Sequence, residues 1–293
     1  MMSMDAIFNQ FMSGATYGMV LFLVALGLAL IFGVMKVINF AHGSLYMLGA
    51  FFGYFIWNAL QGLEYAFWLS TLLAGVAVAA VGLVIEYLLR PLYQREHGDQ
   101  ILFTYGFVLI IGDLVKMLWG GQYYSIPRPP GLEGSWKFGE IMLPTYNLFI
   151  IAAGLGTALG LWLLLAKTNI GKIIRAAVFD REMVSMIGIR LPWLFAAVFA
   201  LGAFIAGAAG LLAAPIGNIG TGMDVEIIVA VFAVVIVGGM ESLFGALLAA
   251  LIIGEVYAFG ILILPQMALA FMFLVMVGVL IVRPQGLMGK GGR

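Results

Sequence analysis

The stretch KTNIGKIIRAAVFDREMVSMIGIRLP, residues Lys167–Pro192, decides how this chain folds. It contains five basic and two acidic residues, whereas only 10% of the whole chain is charged. Long apolar runs flank it on both sides. A polar, helix-prone segment of this length between two membrane spans must lie in water, and its basic excess predicts the cytoplasmic side. We therefore expect this cytoplasmic loop to present a docking element to something inside the cell.

The composition is that of a membrane protein. The 293 residues are 64% hydrophobic and have a mean hydropathy of +1.12, whereas soluble domains are roughly 45–50% apolar. The formal net charge of zero gives nucleic-acid binding no electrostatic support. The absence of cysteine excludes disulfides and thiolate metal sites, and the two histidines, His42 and His97, stand in different segments. No cofactor is expected, and without a GxxxxGK[ST] motif a nucleotide-driven motor would be another chain.

The apolar runs predict an all-α integral membrane protein, a polytopic helical bundle of about eight or nine spans. A spanning helix needs about 20 mostly apolar residues. We expect one transmembrane domain over residues 1–293, with pseudo-symmetric halves. Two of the runs, 43–60 and 225–239, are short or marginal, and either could be a half-helix or a re-entrant segment. The nine candidate runs are 10–33, 43–60, 66–89, 100–119, 147–166, 193–213, 225–239, 243–263 and 266–282.

The basic residues predict the orientation. If Lys167–Pro192 is cytoplasmic and all nine runs cross, the inside loops hold 11 basic residues and the outside loops hold only Arg128 and Lys137. This bias places the N-terminus outside and the C-terminal RPQGLMGKGGR (283–293) inside. The longest outside loop, 120–146, is rich in proline, which prevents helix formation. It is therefore predicted to be an ordered cap.

Small residues recur four apart on several of the predicted spans. Such faces allow close helix crossings, either within one bundle or at a subunit interface. The pairs and triplets are Gly14/Gly18, Gly49/Gly53, Gly156/Gly160, Ala203/Gly207, Ala206/Gly210 and Ala246/Ala250/Gly254.

Two interruptions share a shape. KVINFAHG (36–43) and MESLFG (240–245) each turn the chain between two apolar runs, and both fall on the cytoplasmic side in this topology. Paired interruptions of this kind indicate a pseudo-symmetric transporter and its central pathway. Within the first turn, Asn39 and His42 are candidates either for the pathway or gate, or for hydrogen bonding to backbone groups that a broken helix leaves unsatisfied.

Ionisable residues inside spans are costly and are therefore functional candidates. Asp113 and Lys116, three apart, predict a structural ion pair, with a substrate contact as the alternative. Glu86 and Arg90 predict a solvated pair at the inner end of a span. Glu255 has no local partner, so it must find a donor on another helix or face a wet cavity, which makes it a pathway or gate candidate.

Acids also begin two predicted helices. Asp224 and Glu226 stand at the start of the run 225–239, where acidic residues favour the positive end of the helix dipole, and capping is the expected role. In the cytoplasmic loop, Asp180 is expected to cap a short helix, REMVSMIG, that Gly188 stops. Val184, Ile187 and Ile189 would give this helix an apolar side. Such a helix fits a groove on a partner protein or lies on lipid.

REMVSMIG resembles the degenerate EAA loop of ABC-importer permeases, with Met183 and Val184 in place of the two alanines. Several other segments resemble the permease family of high-affinity branched-chain amino acid importers, in order and spacing across nearly the whole chain. The terminal RPQGL and the length resemble the shorter of the two permeases that this family pairs. The segments are GLALIFGVMKVINFAHGSLYMLGAFF (27–52), IGKIIRAAVFDREMVSMIGI (170–189), VIVGGMESLFGALLAALIIGEV (235–256) and RPQGLMG (283–289).

The resemblance implies a non-catalytic translocation subunit in a bacterial-type inner membrane. A second homologous permease, two cytoplasmic ATPase subunits and an extracytoplasmic binding protein for Leu, Ile or Val would be its partners, with membrane lipid around it. The coupling helix would comprise Asp180, Arg181, Glu182, Met183, Val184 and Gly188.

Three alternatives stay open. The family also includes importers of urea, short amides and other amino acids. An ion-coupled secondary carrier acting alone would use Glu255 as its coupling acid. An intramembrane enzyme would need a nucleophile and a base at one depth, for which His42 and Ser44 are the nearest candidates.

Overall fold

The computed structural model describes residues 4–138 and 141–289, and helices make up most of it. Two of the basic residues assigned to the inside tail, Lys290 and Arg293, lie outside the described residues. The helices are α1 (Met4–Met35), α2 (His42–Ala59), α3 (Ala66–Leu89), α4 (His97–Trp119), α5 (Thr145–Lys167), α6 (Asn169–Phe179), α7 (Arg181–Met186), α8 (Leu191–Ala213), α9 (Met223–Gly238), α10 (Leu243–Ile263) and α11 (Ala268–Val282).

Across residues 4–138 and 141–289, seven helical segments are long and apolar enough to cross a membrane: α1, α3, α4, α5, α8, α10 and α11. The predicted all-α multi-pass fold is thereby confirmed, although the count is lower than the eight or nine spans expected. The two marginal runs form α2 and α9. With 16 residues, α9 is about 24 Å long, which is less than the ~30 Å hydrocarbon core. α2 has 18 residues and carries His42 and Asn58 near its ends. That either crosses fully stays a prediction.

The proline-rich loop 120–146 contains an antiparallel hairpin of two strands, β1 (Ser135–Phe138) and β2 (Ile141–Pro144). Ser135 pairs with Pro144 and Trp136 pairs with Leu143. Tyr124, earlier in the loop, forms a separate bridge with Ile219, with both backbone hydrogen bonds 2.9 Å long. The loop is thus ordered, as predicted, by β pairing.

The chain forms two compact units built from interleaved segments. Unit 1 takes its described residues from 1–25, 127–156 and 229–293, and unit 2 comprises 26–126 and 157–228. Helices α1, α5 and α9 contribute residues to both. The expected pseudo-symmetry of the two halves and the single domain stay predictions.

Close glycine contacts hold α2 and α3 against α8 in unit 2. A Cβ placed on Gly49 would meet the backbone of Gly207, and one placed on Gly210 would meet the carbonyl of Tyr46. A Cβ on Gly82 would lie 2.6 Å from that of Ala203. These helices approach so closely because small residues leave their backbones uncovered.

The same device joins α1 and α10 in unit 1. A Cβ on Gly18 would lie 2.6 Å from the Ala250 carbonyl oxygen, and one on Gly254 would lie 2.6 Å from the Gly18 Cα. The two predicted small-residue faces therefore meet each other. Gly156 and Gly160 on α5 differ, because a Cβ on either would find nothing within 4 Å among the described residues.

Candidate functional site

The polar segment 167–192 folds into α6 and α7, each begun by a side-chain cap. Thr168 Oγ1 accepts the Gly171 N–H at 3.0 Å, and Asp180 Oδ1 accepts the Met183 N–H at 2.9 Å. Gly188, with φ of +89°, turns the chain just after α7. The left-handed conformation is one that glycine adopts at little cost. The cap and the stop predicted for this short helix are both confirmed.

One side of this element is an exposed apolar surface, which we call the docking face. It consists of Phe179, Met183, Met186 and Ile187, which are 96%, 44%, 78% and 67% exposed. The apolar side predicted from Val184, Ile187 and Ile189 is divided in the structure: Val184 is fully buried while Ile187 points outward. Exposed apolar side chains that form a contiguous patch are typical of an interaction surface.

Arg181 contacts other helices of the chain. Its Nη2 donates to the carbonyl oxygens of Met35 at 2.9 Å and Val34 at 3.3 Å, the last residues of α1. Its guanidinium also stacks over the ring of Phe195 on α8, 5.3 Å from the centroid. The sequence grouped Arg181 with the residues that contact an ATPase. In the structure its guanidinium contacts α1 and α8, and an ATPase contact of Arg181 stays a prediction.

The turn between α1 and α2 is largely buried within the chain; its predicted cytoplasmic position stays a prediction. A Cβ on Gly27 would lie 3.0 Å from the His42 ring, although Gly27 precedes the end of α1 by eight residues. At 1.5 Å per residue this is about 12 Å, so residues 36–41 run back along α1. Asn39 and His42 are fully buried.

Thr104 of α4, rather than Asn39, satisfies the backbone of this turn. Its Oγ1 accepts the Phe40 N–H at 3.1 Å and donates to the Gln100 carbonyl at 2.9 Å. Both side-chain amide atoms of Asn39 are buried without a hydrogen-bond partner among the described residues. Of the two roles expected for Asn39, hydrogen bonding to the unsatisfied backbone of the turn is wrong for its side chain, and the pathway or gate role stays a prediction. A polar Thr inside the apolar run of α4 was the available signal for this contact.

The beginning of α9 lies beside the beginning of α2. Ser44 Oγ donates to Asp224 Oδ2 at 3.0 Å, and both residues are buried. A Cβ on Gly43 would meet the Asp224 carbonyl oxygen. Asp224 was expected to cap this helix, but it lies within the first turn of α9 and binds another helix. Sequence spacing could not show this contact, because the two residues are 180 positions apart.

Glu255 on α10 lies against Gly14 of α1. Its carboxylate Oε2 would be 2.5 Å from a Cβ on Gly14. Both carboxylate oxygens are buried and have no hydrogen-bond partner among the described residues. The donor on another helix that the sequence called for is thus not found in the described part of the chain.

The remaining ionisable pairs differ in burial. Asp113 Oδ1 and Lys116 Nζ are 3.7 Å apart, with side chains 78% and 60% exposed. Glu86 is fully buried, so the solvated pair expected with Arg90 is wrong. The Arg90 guanidinium donates to both Glu86 oxygens, from Nε at 3.0 Å and from Nη2 at 2.9 Å. Tyr93 donates its hydroxyl to Glu86 as well, and burial together with this bond raises the pKa of Tyr93.

These features define an all-helical, multi-pass membrane protein that presents a short capped helix with an exposed apolar face. The comparison of its sequence with known families goes further. The chain belongs to the family described as branched-chain amino acid transport system / permease component, which matches residues 10–280. It is thus a permease of a transport system that works with other subunits.

Similar proteins cover almost the full chain. The high-affinity branched-chain amino acid transport system permease protein BraD of Pseudomonas aeruginosa is 28% identical, over 96% of this chain and 95% of its own. LivH of Escherichia coli K12, described in the same words, is 26% identical over the same shares. The probable branched-chain amino acid transport permease protein LivH of Methanocaldococcus jannaschii is 29% identical over 81% of this chain and 76% of its own. No solved structure matches the chain.

Proposed function

We propose that this chain is a translocation subunit of an ATP-driven importer of branched-chain amino acids in a bacterial-type inner membrane. It is non-catalytic, and partner subunits hydrolyse ATP. The family and the printed descriptions of BraD and LivH support the substrate class. The observation that carries the mechanism is the docking face, an apolar surface on a capped helix between two apolar spans.

The docking face is the proposed contact with one cytoplasmic ATPase subunit. Exposed aromatic and methionine side chains anchor interfaces when they enter apolar grooves, and Phe179 is the largest such group here. The proposed coupling helix begins at the cap Asp180 and ends at Gly188. Glu182 and Met183 lie within it. A second homologous permease and a second ATPase complete the complex, and an extracytoplasmic binding protein delivers Leu, Ile or Val. The C-terminus is cytoplasmic in this arrangement.

The α1–α2 turn is the proposed gate. Asn39 and His42 are buried in the structure, so they contact no substrate unless the turn moves. The unpartnered amide of Asn39 would gain hydrogen bonds on such a movement, since a buried polar group without partners is costly. Glu255 is a second gate candidate at the α1–α10 contact, and Asp113 with Lys116 is a proposed structural pair.

The docking face is tested by truncating its side chains. A hot-spot residue contributes about 2 kcal/mol or more, which is roughly 30-fold in affinity. Phe179→Ala and Met186→Ala should therefore lower ATPase co-purification and ATP-driven Leu uptake at least tenfold. Met117→Ala is the control, because Met117 on α4 is 81% exposed and Met186 is 78% exposed. Unchanged ATPase retention in both docking-face variants would reject the proposal.

The buried carboxylate of Glu255 favours one other candidate, an ion-coupled secondary carrier, because intramembrane acids serve as ion-coupling sites. The purified chain in liposomes separates the two. The importer predicts no Leu accumulation under an ion gradient without ATP and the partner subunits. Accumulation that Glu255→Gln abolishes would support the carrier. Uptake assays with labelled Leu and labelled urea in the assembled complex distinguish the substrates within the family.

A further inference from the structure

The geometry points to Arg181 as the positioning residue that transmits movement of the docking face to the gate. The inference rests on the proposed function, because it requires an ATPase on that face. It assigns Arg181 to the link between α7 and the end of α1, and not to the ATPase contact. All residues of the link belong to unit 2.

The end of α1 needs an external donor. The last four carbonyl groups of a helix have no partner within the helix, and a cation there is also favoured by the helix dipole. Arg181 donates to two of these carbonyls, on Val34 and Met35. Lys36, directly after α1, has a φ of +57°. Because the chain reverses at this point, the position of Arg181 fixes where the turn begins.

The other side of the guanidinium is held by aromatic rings. It lies over Phe195 in the first turns of α8, and Phe195 meets the edge of the Tyr93 ring at 5.5 Å between centroids. Tyr93 in turn bonds the buried Glu86 of α3. A planar cation can bond carbonyls through its edge while it stacks through its face, which an ammonium group cannot do. Arg181 thus ties α7 to α1 and to the α3–α8 packing through one side chain.

The turn beyond α1 connects the end of α1 to the beginning of α2. Thr104 Oγ1 accepts the Phe40 N–H at 3.1 Å and lies 3.5 Å from the Ile38 carbonyl oxygen, whereas the amide of Asn39 has no hydrogen-bond partner among the described residues. The turn leads directly into His42 and Ser44, and Ser44 carries the bond to Asp224 at the start of α9. A shift of α7 would reach both helix beginnings through this path. The side chain of Val184 in α7 is fully buried. We therefore expect α7 to move together with the helices it packs against, and not to rotate about its own axis.

The test uses the complete complex in proteoliposomes, with the ATPase subunits, the second permease and the binding protein. Arg181→Ala should leave ATPase assembly and the KM for loaded binding protein within about twofold, and should lower the maximal uptake rate at least tenfold. ATP hydrolysis should no longer respond to loaded binding protein. Arg181→Lys keeps the charge without the planar guanidinium, and its maximal uptake rate should lie between those of the parent and Arg181→Ala. Arg190→Ala is the charge control, since Arg190 is exposed and its side chain does not cap α8.

Two results would overturn the inference. Loss of ATPase from the Arg181→Ala complex would make Arg181 a docking contact, and normal uptake would show that no movement passes through it. The proposed function fails separately, if Phe179→Ala leaves the complex and its uptake intact.

A reversible cross-link keeps the test decisive if Arg181→Ala does not fold. Lys36 and Glu182 line one cleft of about 450 Å³, and the chain has no native cysteine. Lys36→Cys with Glu182→Cys, joined by a reducible bismaleimide, should block uptake at least tenfold while the ATPase stays bound. Reduction should restore it to the level of the unlinked double variant. Full uptake in the linked protein would exclude relative movement of α7 and the α1 end.

Discussion

Gly18→Ala tests the close contact of α1 and α10 that the small residues permit. The new Cβ would lie 2.6 Å from the Ala250 carbonyl oxygen and 3.2 Å from the Leu251 Cα, whereas ordinary contact begins at 3.4 Å. The helices must separate by about 0.8 Å (3.4 − 2.6) at that point. No flexible side chain can yield, because the atoms that the methyl meets belong to the backbone. Overpacking of this kind costs about 1–3 kcal/mol.

The assay is the thermal unfolding midpoint of the purified chain in detergent, followed by size-exclusion chromatography after heating. Gly18→Ala should lower the midpoint, and Gly18→Val should lower it further. The matched control is Gly160→Ala on α5, where a Cβ meets nothing within 4 Å of the described residues. That variant should be neutral or slightly stabilising, since alanine is the better helix former. A midpoint for Gly18→Ala equal to that of the parent would refute the reasoning about this contact.

Substitutions at Ser44, Tyr93 and Gly188 test three other features of the structure. Ser44→Ala removes the donor to the buried Asp224 and should cost about 1–3 kcal/mol of stability, seen as a lower unfolding midpoint; Ser44→Thr, which keeps a hydroxyl, should recover part of it. Tyr93→Phe should lower the free energy of unfolding by about 1 kcal/mol. The loss should be equal at about pH 7 and about pH 9, because burial raises the pKa of Tyr93 above its ordinary value near 10 and the hydroxyl stays protonated at both. A loss that disappeared at the higher pH would contradict this. Gly188→Val should strain the left-handed turn after α7 by about 1–2 kcal/mol and reduce ATPase co-purification, whereas Gly98→Ala, in open space, should not.

The helices of this fold were predictable because the bilayer imposes a simple requirement on the chain. Continuous apolar runs of about 20 residues must form helices, since lipid offers no hydrogen bonds to the backbone. The capped helix α7 in the polar segment 167–192 was predictable for a local reason. Asp180 and Gly188 act within a few residues of their own positions, where sequence spacing is sufficient.

The contacts of the candidate site were not predictable, because they depend on which way a side chain faces after packing. Spacing grouped Val184 with Ile187, yet one is buried and the other exposed. Arg181 carries a charge that suited a surface contact, and its position at the end of α1 appears only in three dimensions. The burial of Asn39 and His42 in the turn before α2 was not predictable for the same reason, because it depends on how the helices pack around that turn.

Labelling of a single cysteine in place of Met186 tests the central claim most directly. A membrane-impermeant maleimide should react with Met186→Cys in inside-out vesicles and not in intact cells, and bound ATPase subunits should slow the reaction at least tenfold. Glu133→Cys, in the loop before β1, should show the opposite sidedness. Labelling of Met186→Cys from the cell exterior, or an unchanged rate with the ATPase present, would contradict the account.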